Sequence, residues 1–219
     1  MQTANAVVAT RAAQATAPMR SGLWAVFLVV RQTEIRDRRL LSTVLSFETD
    51  RLFLRRWEDR DADFVFDMYS RWDVQRFIGR VPRVMEDRSE AVALIERLRS
   101  QEHPVHGFWA VGRKDTDGLV GTILLKSIPA SGKTSPLQPS GDIEIGWHFH
   151  PDFWGNGYAS EAAAVVLDHA FRCGLNKVVA VTSPENFASQ KVCTRIGLTH
   201  RGPTTKYYNE TCELFLGTP

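Results

Sequence analysis

One segment of the chain, residues 142–172, restricts the possible folds more than any other. Polar and apolar residues alternate along residues 142–150, which predicts a strand with one apolar and one polar face. The apolar positions are Ile143, Ile145, Trp147 and Phe149, and the polar face carries Asp142, Glu144, His148 and His150. Pro151 ends this strand, two glycines follow at Gly155 and Gly157, and an Ala-rich helix is predicted from Tyr158 to Phe171, before Cys173-Gly174. A strand that turns through glycines into a helix is typical of α/β folds.

The remaining pattern from Phe47 onward alternates between strands and helices in the same way. A first strand, two helices (Asp59 or Asp61 to about Tyr69, and Met85 to about Ser100) and a hairpin precede the segment. The hairpin strands are residues 108–112 and 119–125, and a loop follows at 129–141. A strand at 177–182, a helix at 186–196 and a terminal strand pair come after it. This order predicts a mixed α/β sheet with at least one parallel pair.

The first 46 residues differ in composition from the rest. Six basic and two acidic residues give them a net charge of +4, so residues 47–219 carry −2 against a total of +2. The apolar run Gly22–Val30 is too short to span a bilayer and lacks a small-residue cleavage pattern after it. We therefore expect a loosely attached extension at 1–46, a domain at 47–219, and a cytoplasmic protein without a membrane segment.

Charge and cysteine content exclude several classes of function. The domain's charge of −2 offers no basic surface for nucleic acid. Cys173, Cys193 and Cys212 are odd in number and about 20 residues apart, which fits neither a disulfide framework nor a zinc site. Reduced thiols in the cytoplasm are the simpler interpretation.

The glycine segment has the properties of an anion-binding loop. Glycine lacks a Cβ, so backbone amides at Gly155 and Gly157 can approach a ligand closely. The first turn of the following helix adds N–H groups without partners and a favourable dipole. The segment therefore predicts a cradle for a pyrophosphate.

Two linked motifs resemble the GNAT superfamily of N-acetyltransferases, in particular its RimJ/RimL-like branch. The first is Trp154-Gly155-Asn156-Gly157-Tyr158-Ala159-x-Glu161-Ala162, and the second is Pro184-Glu185-Asn186-x-Ala188-Ser189-x-x-Val192 with Gly197. Thr49-Asp50-Arg51-Leu52-x-Leu54-Arg55 is similar to the opening strand of that branch. The resemblance covers about 170 residues. One departure is Asp152, where the wider superfamily has Arg or Gln.

The resemblance implies a GNAT fold: an α/β structure with a mixed central sheet of about six to seven strands, a splayed central parallel pair and helices on both faces. It implies acetyl-CoA as the acetyl donor, lying in the gap between the splayed strands, and no metal. The cofactor-binding residues that it implies are Trp147, Phe149, Trp154, Gly155, Asn156, Gly157, Tyr158, Ala159, Ser160, Asn186 and Ser189.

Acetyl transfer to an amine needs a base, because an alkyl ammonium with a pKa near ~10.4 must lose a proton before it attacks. Glu144 is our first candidate, since it lies on the polar face of the strand before the glycine loop. A solvated or salt-bridged carboxylate is the alternative interpretation. His148 is the second candidate base, and a packing role is its alternative.

The departing thiolate benefits from an acid. Many superfamily members use a Tyr seven residues after the motif Asn, where this chain has Cys193. The RimJ/RimL-like branch offers a Ser three residues after that Asn, and Ser189 occupies the position. Its alternative role is a local one at the start of a helix capped by Asn186. Tyr207 and Tyr208 are reserve candidates.

Two other sequence patterns compete with this function. Ser127–Thr134 is similar to a phosphate-binding Walker A loop, but Ser127 replaces its first glycine and the prolines after it cannot begin the required helix. His148-x-His150 lacks a third metal ligand at a recognisable spacing.

The sequence thus predicts an acetyl-CoA-dependent N-acetyltransferase acting by direct attack in a ternary complex. Its acceptor is a primary amine, either a protein N-terminal α-amine or a small molecule such as an aminoglycoside antibiotic. The alternative from another class is a CoA-binding module with weak or no catalysis. We expect a monomer or homodimer.

Overall fold

The computed structural model describes residues 45–219, which form eight strands and five helices. The strands are β1 (Phe47–Glu48), β2 (Leu52–Arg56), β3 (Gly107–Arg113), β4 (Leu119–Pro129), β5 (Pro139–Phe149), β6 (Val178–Thr182), β7 (Thr199–Thr204) and β8 (Cys212–Gly217). The helices are α1 (Ala62–Tyr69), α2 (Trp72–Gln75), α3 (Arg88–Arg99), α4 (Tyr158–Arg172) and α5 (Phe187–Arg195). Short 3₁₀ turns at Asp59–Asp61 and Pro151–Phe153 precede α1 and the glycine loop.

All eight strands belong to one mixed sheet in the order β1-β2-β3-β4-β5-β6-β8-β7. Neighbouring strands are antiparallel except β5 and β6, which form the predicted parallel pair. The fold class is confirmed, but the expected count of six to seven strands was too low. The two-residue strand β1 accounts for the difference, because it is too short to show an alternating pattern.

Helices cover both faces of the sheet, as expected. Helix α4 packs its alanines and valines on one face, against residues such as Ile145 of β5 and Trp109 of β3. Helices α1 and α3 cover the other face, where they bury Ala110 of β3. Successive residues of a strand point to opposite faces, so Trp109 and Ala110 divide between the two cores.

Several element boundaries differ from the sequence prediction for local reasons. Helix α3 begins at Arg88 rather than Met85, because the Asp87 carboxylate accepts a hydrogen bond from the Ser89 backbone N–H and caps the helix there. The expected loop at 129–141 is shorter, since β4 continues to Pro129 and β5 begins at Pro139. The single turn α2 was missed, because four residues carry no helical periodicity.

The first residues that the structure describes already pack against the domain. The Trp109 indole donates a hydrogen bond to the Leu45 carbonyl oxygen at 3.0 Å, and Leu45 packs on the main core. Most of the predicted extension 1–46 lies outside the described residues, so the boundary at residue 47 stays a prediction. Among residues 45–219, no helix is both long enough and apolar enough to cross a membrane.

Candidate active site

The glycine loop connects the end of β5 to the start of α4. Gly155 and Gly157 have φ values of +80° and +79°, in the left-handed region that favours glycine. A Cβ on Gly155 would meet no atom within 4 Å, so open space lies beside this backbone. Gly157 is the N-cap of α4 and brings no side chain to cap the helix. The first N–H groups of α4, which have no intrahelical acceptor, are left for a ligand.

The turn between β1 and β2 holds this loop in place. The Arg51 guanidinium donates to Glu161 in the first turn of α4 at 2.7 Å and to the Asn156 carbonyl oxygen at 3.1 Å. The Thr49 hydroxyl also donates to Glu161. The Asn156 side chain closes the loop from within, because its amide donates to the carbonyl oxygens of Phe153 and Trp154, both at 3.1 Å.

The parallel strands β5 and β6 separate beside the loop. A single pair of residues, Glu144 and Val179, is in register between them. Beyond this pair the strands border an open groove of about 890 Å³. Two buried hydroxyls that line the groove, those of Ser160 and Thr182, have no hydrogen-bond partner within residues 45–219. Buried polar groups are normally paired, so these two are suited to a polar ligand in the groove.

Nearly all of the predicted site residues meet at this groove. The lining contains Glu144, Trp147, His148, Phe149, Trp154, Gly155, Gly157, Tyr158, Ala159, Ser160, Asn186 and Ser189. Asn156 is the exception, because its side chain is used within the loop. The roles assigned to these residues stay predictions.

Glu144 lines the groove and is 8% exposed. The Lys126 ammonium lies 3.5 Å from its carboxylate, and the Tyr208 hydroxyl donates a hydrogen bond to it. Burial raises the pKa of Glu144 above its ordinary value, while Lys126 and Tyr208 oppose that rise. A carboxylate with a raised pKa is a stronger proton acceptor than an exposed one.

His148 points to the same side of β5 but has a different environment. Its Nδ1 shares a hydrogen bond of 2.8 Å with the Tyr69 hydroxyl. Burial, with a smaller effect of Lys126, lowers the pKa of His148 to about 4. The imidazole is therefore neutral at pH 7 and a poor base toward an ammonium group. Both candidate bases line the groove.

Ser189 lines the groove from the first turn of α5. Its backbone N–H donates to the Asn186 side-chain oxygen at 3.1 Å, so Asn186 caps α5. This contact is the local role that the sequence offered as the alternative for Ser189. Asn186 itself also lines the groove. Both residues thus combine a local role with a position at the candidate site.

The structure separates the reserve candidates. Tyr208 lines the groove, whereas Tyr207 is buried and donates its hydroxyl hydrogen bond to Asp142 at 2.7 Å. Cys193, at the position of the usual Tyr, is fully buried in the main core, and burial raises its pKa to about 12. Cys193 and Tyr207 therefore cannot reach a ligand in the groove.

The two competing patterns have other roles. The segment Ser131-Gly132 of the Walker-like run is followed by no helix, and it contacts the turn that carries Tyr208 and Asn209. His150 bonds to the Asp67 carboxylate at 3.2 Å rather than sharing a ligand with His148. Within residues 45–219, no group of three metal-ligating side chains comes together.

The groove also contains residues that sequence reasoning missed. Lys126 of β4 is paired in register with Glu144. Helix α2 and the segment after it contribute Asp73, Arg76 and Arg80 to the lining of the groove. The opposite charges of Lys126 and Glu144 are the one sequence signal that could have indicated Lys126 as a site residue. Lys126 and Glu144 are 18 positions apart, and the register that pairs their strands cannot be read from either strand alone.

Comparison with known proteins agrees with the fold. Residues 51–199 match the family described as acetyltransferase (GNAT) domain. The uncharacterized N-acetyltransferase YoaA of Bacillus subtilis is 32% identical over 174 residues, which cover 78% of this chain and 90% of YoaA.

Solved structures show the same architecture. A GNAT-family acetyltransferase from Bacillus anthracis superposes with a TM-score of 0.60 at 25% identity, over 78% of this chain and 96% of its own. Mycobacterium smegmatis RimJ in complex with CoA-disulfide gives a TM-score of 0.58 at 20% identity, over 76% of this chain and 81% of its own. The family match covers more than half of the chain, and the chain belongs to the GNAT family of N-acetyltransferases.

Proposed function

We propose that this protein transfers the acetyl group of acetyl-CoA to a primary amine by direct attack in a ternary complex. The observation that carries the proposal is one continuous groove. The glycine loop lies at one end, the separated strands lie in the middle, and a buried carboxylate, Glu144, lies where they diverge. The M. smegmatis RimJ structure contains CoA-disulfide on the same fold, which supports a CoA-type ligand here.

The residues of the groove fit acetyl-CoA. The free N–H groups of Tyr158 to Ser160 suit the pyrophosphate, and the open space beside Gly155 admits it. The separated strands β5 and β6 leave backbone groups that the pantetheine arm can bond. The unpaired hydroxyls of Ser160 and Thr182 would gain partners. Acetyl-CoA supplies an activated thioester carbonyl.

Proton transfers accompany the reaction. Glu144 accepts a proton from the ammonium of the acceptor, directly or through a water, and later releases it to solvent. The free amine then attacks the thioester carbonyl and the C–N bond forms. The attacking nitrogen loses its second proton to solvent as the C–S bond breaks. Ser189 donates a proton to the departing thiolate and recovers one from solvent. The sum is amide, free CoA and one proton released.

The charges of the groove favour a peptide over a polycation. Eight charged side chains line it, of which five are basic and three are acidic: Arg76, Arg80, Lys126, Lys191 and Arg195 against Asp73, Glu144 and Glu210. A site for an aminoglycoside would need a clear excess of carboxylates, because charge complementarity governs encounter and specificity. We therefore propose a protein N-terminal α-amine as the acceptor, in the manner of the RimJ/RimL-like branch. An α-amine also needs the weaker base, since its pKa is only ~7.7–8.0.

The acceptor can be identified by measuring CoA release from acetyl-CoA with a panel of amines. The panel contains peptides with free N-termini, the same peptides with blocked N-termini, lysine side-chain amines and aminoglycosides. We expect release with free α-amines and none with the blocked peptides. Binding of acetyl-CoA with no release for any amine would instead support the CoA-binding module.

Substitution of the proposed acid should have a moderate effect. A thiolate with a pKa near ~8.5 leaves without much help, so Ser189→Ala should lower kcat by about 10-fold to 100-fold. The acetyl-CoA Kd should stay near that of the wild type, because the capping N–H of Ser189 is unchanged. Steady-state kinetics and calorimetric titration measure the two quantities. An unchanged kcat would remove Ser189 from the mechanism and leave Tyr208 as the candidate acid.

A further inference from the structure

Three side chains around the proposed base are bonded to one another, and we call Lys126, Glu144 and Tyr208 the Glu144 cluster. Lys126 and Glu144 are register partners on β4 and β5. The Lys126 ammonium donates to the Tyr208 hydroxyl oxygen at 2.7 Å, and that hydroxyl donates to Glu144. The ammonium also lies 3.5 Å from the Glu144 carboxylate. Each member therefore contacts the other two.

Glu144 needs such neighbours to stay ionised, because it is buried. A buried carboxylate tends to take up a proton, and a protonated Glu144 cannot act as a base. The titratable groups around it are Lys126 from β4, His148 from its own strand, and Tyr207, Tyr208 and Cys212 from the β7–β8 hairpin. Burial lowers the pKa of His148 and raises the pKa of Tyr207, Tyr208 and Cys212, so all four are uncharged near neutral pH. Among these groups, Lys126 supplies the positive charge.

A separate contact holds Tyr208 in position. Tyr208 and Asn209 have φ values of +59° and +58°, which are unusual for residues other than glycine. The Asn209 side chain accepts from the Gly132 N–H at 2.8 Å and donates to the Gly132 carbonyl oxygen at 3.0 Å. The Ser131 hydroxyl accepts from the Asn209 N–H at 3.0 Å. The segment Ser131-Gly132 thus fastens the turn that directs Tyr208 into the groove.

Building on the proposed function, in which Glu144 is the base, we propose that Lys126 is a positioning residue for it. The ammonium holds the Tyr208 hydroxyl toward Glu144 and keeps the carboxylate ionised in its buried position. Lys126 does not touch the reacting atoms. Its effect passes through Glu144, so removal of Lys126 should change the pH dependence of the rate.

The kinetic test compares Lys126→Met, Lys126→Arg and the wild type with one peptide acceptor between about pH 6 and about pH 9. The measured quantity is the ratio of variant to wild-type kcat/KM, because the acceptor's own titration cancels in it. An opposite charge within about 4–6 Å lowers a carboxyl pKa by one unit or more, so its loss should raise the pKa of Glu144. Lys126→Met should therefore lose about 10-fold near pH 6 and recover toward pH 9.

The controls separate this effect from a structural one. Lys126→Arg keeps the charge and should stay close to the wild type at every pH. Lys114→Met removes a lysine whose ammonium contacts Glu48 and the Thr49 carbonyl oxygen instead, and it should leave the profile unchanged. A ratio for Lys126→Met that does not vary with pH would overturn the proposal.

A second measurement does not require acetyl transfer. The Glu144 carboxyl carbon can be followed by ¹³C NMR during a pH titration, and its midpoint should rise by about one unit or more in Lys126→Met. Tyr208→Phe should move it in the same direction and gives the test if Lys126→Met does not fold. An unchanged midpoint in a folded variant contradicts the proposal. Failure of the proposed function shows separately, as absent CoA release in the wild type.

Discussion

Gly155→Val and Gly157→Val should each weaken acetyl-CoA binding by about 100-fold or more. The two positions have positive φ values, and the space beside Gly155 is open. A branched side chain there occupies the space that the pyrophosphate needs and moves the backbone amides that hold it. Two hydrogen bonds to a charged group are worth about 3 kcal/mol or more, which corresponds to about 100-fold in Kd.

The matched control for this prediction is Gly174→Val. Gly174 has φ +88° at the C-terminal end of α4, and a Cβ there also meets no atom within 4 Å. It therefore suffers the same backbone strain as Gly155→Val but lies outside the groove. Calorimetric titration should give a near-normal acetyl-CoA Kd for Gly174→Val. Near-normal affinity in both loop variants, or an equal loss in the control, contradicts the assignment of the loop.

Glu144→Gln should lower kcat at pH 7 by about 10²-fold to 10⁴-fold, the usual contribution of a general base. Glutamine keeps the size of the side chain and cannot accept the proton of the ammonium. The loss should be smaller at pH 9, because a larger fraction of the α-amine, with a pKa of ~7.7–8.0, is already free. Rates measured at both pH values with one peptide acceptor check the difference.

Asp142→Asn provides the comparison for this variant. Asp142 lies two residues earlier on β5. Its carboxylate contacts Lys177 and Tyr207 and does not line the groove. It should therefore keep most of the rate at both pH values. A loss in Glu144→Gln that is equal at pH 7 and pH 9 would show that Glu144 has a structural role, and that His148 or Tyr208 must be examined as the base.

Features that depend on neighbouring residues could be predicted from the sequence. The alternation of residues 142–150, the glycines of the loop and the Asn186 cap each act within a few residues, and the structure has β5, the left-handed loop and the α5 cap at these places. The parallel pair followed from the order of elements, because a helix between two strands returns the chain in the same direction.

Features that depend on contacts between distant segments could not be predicted. Tyr69 of α1 bonds to His148, 79 residues further along the chain, at a buried position where the pKa of His148 is lowered. Tyr207 and Tyr208 are neighbours in sequence, yet the positive φ of Tyr208 sends one side chain into the groove and leaves the other buried. Lys126 meets Glu144 only through the register of β4 with β5. Strand register and turn geometry are set by the assembled fold rather than by local propensity.

A single-turnover experiment with acetyl-labelled acetyl-CoA, excess protein and a peptide acceptor tests the central claim most directly. Quenched samples are resolved into labelled peptide, labelled protein, free acetate and free CoA. Direct attack in the groove predicts that label passes from acetyl-CoA to the peptide N-terminus as an equal amount of CoA appears, with no labelled protein at any time. Label that first accumulates on the protein, or that is released as acetate without reaching the peptide, would contradict direct transfer.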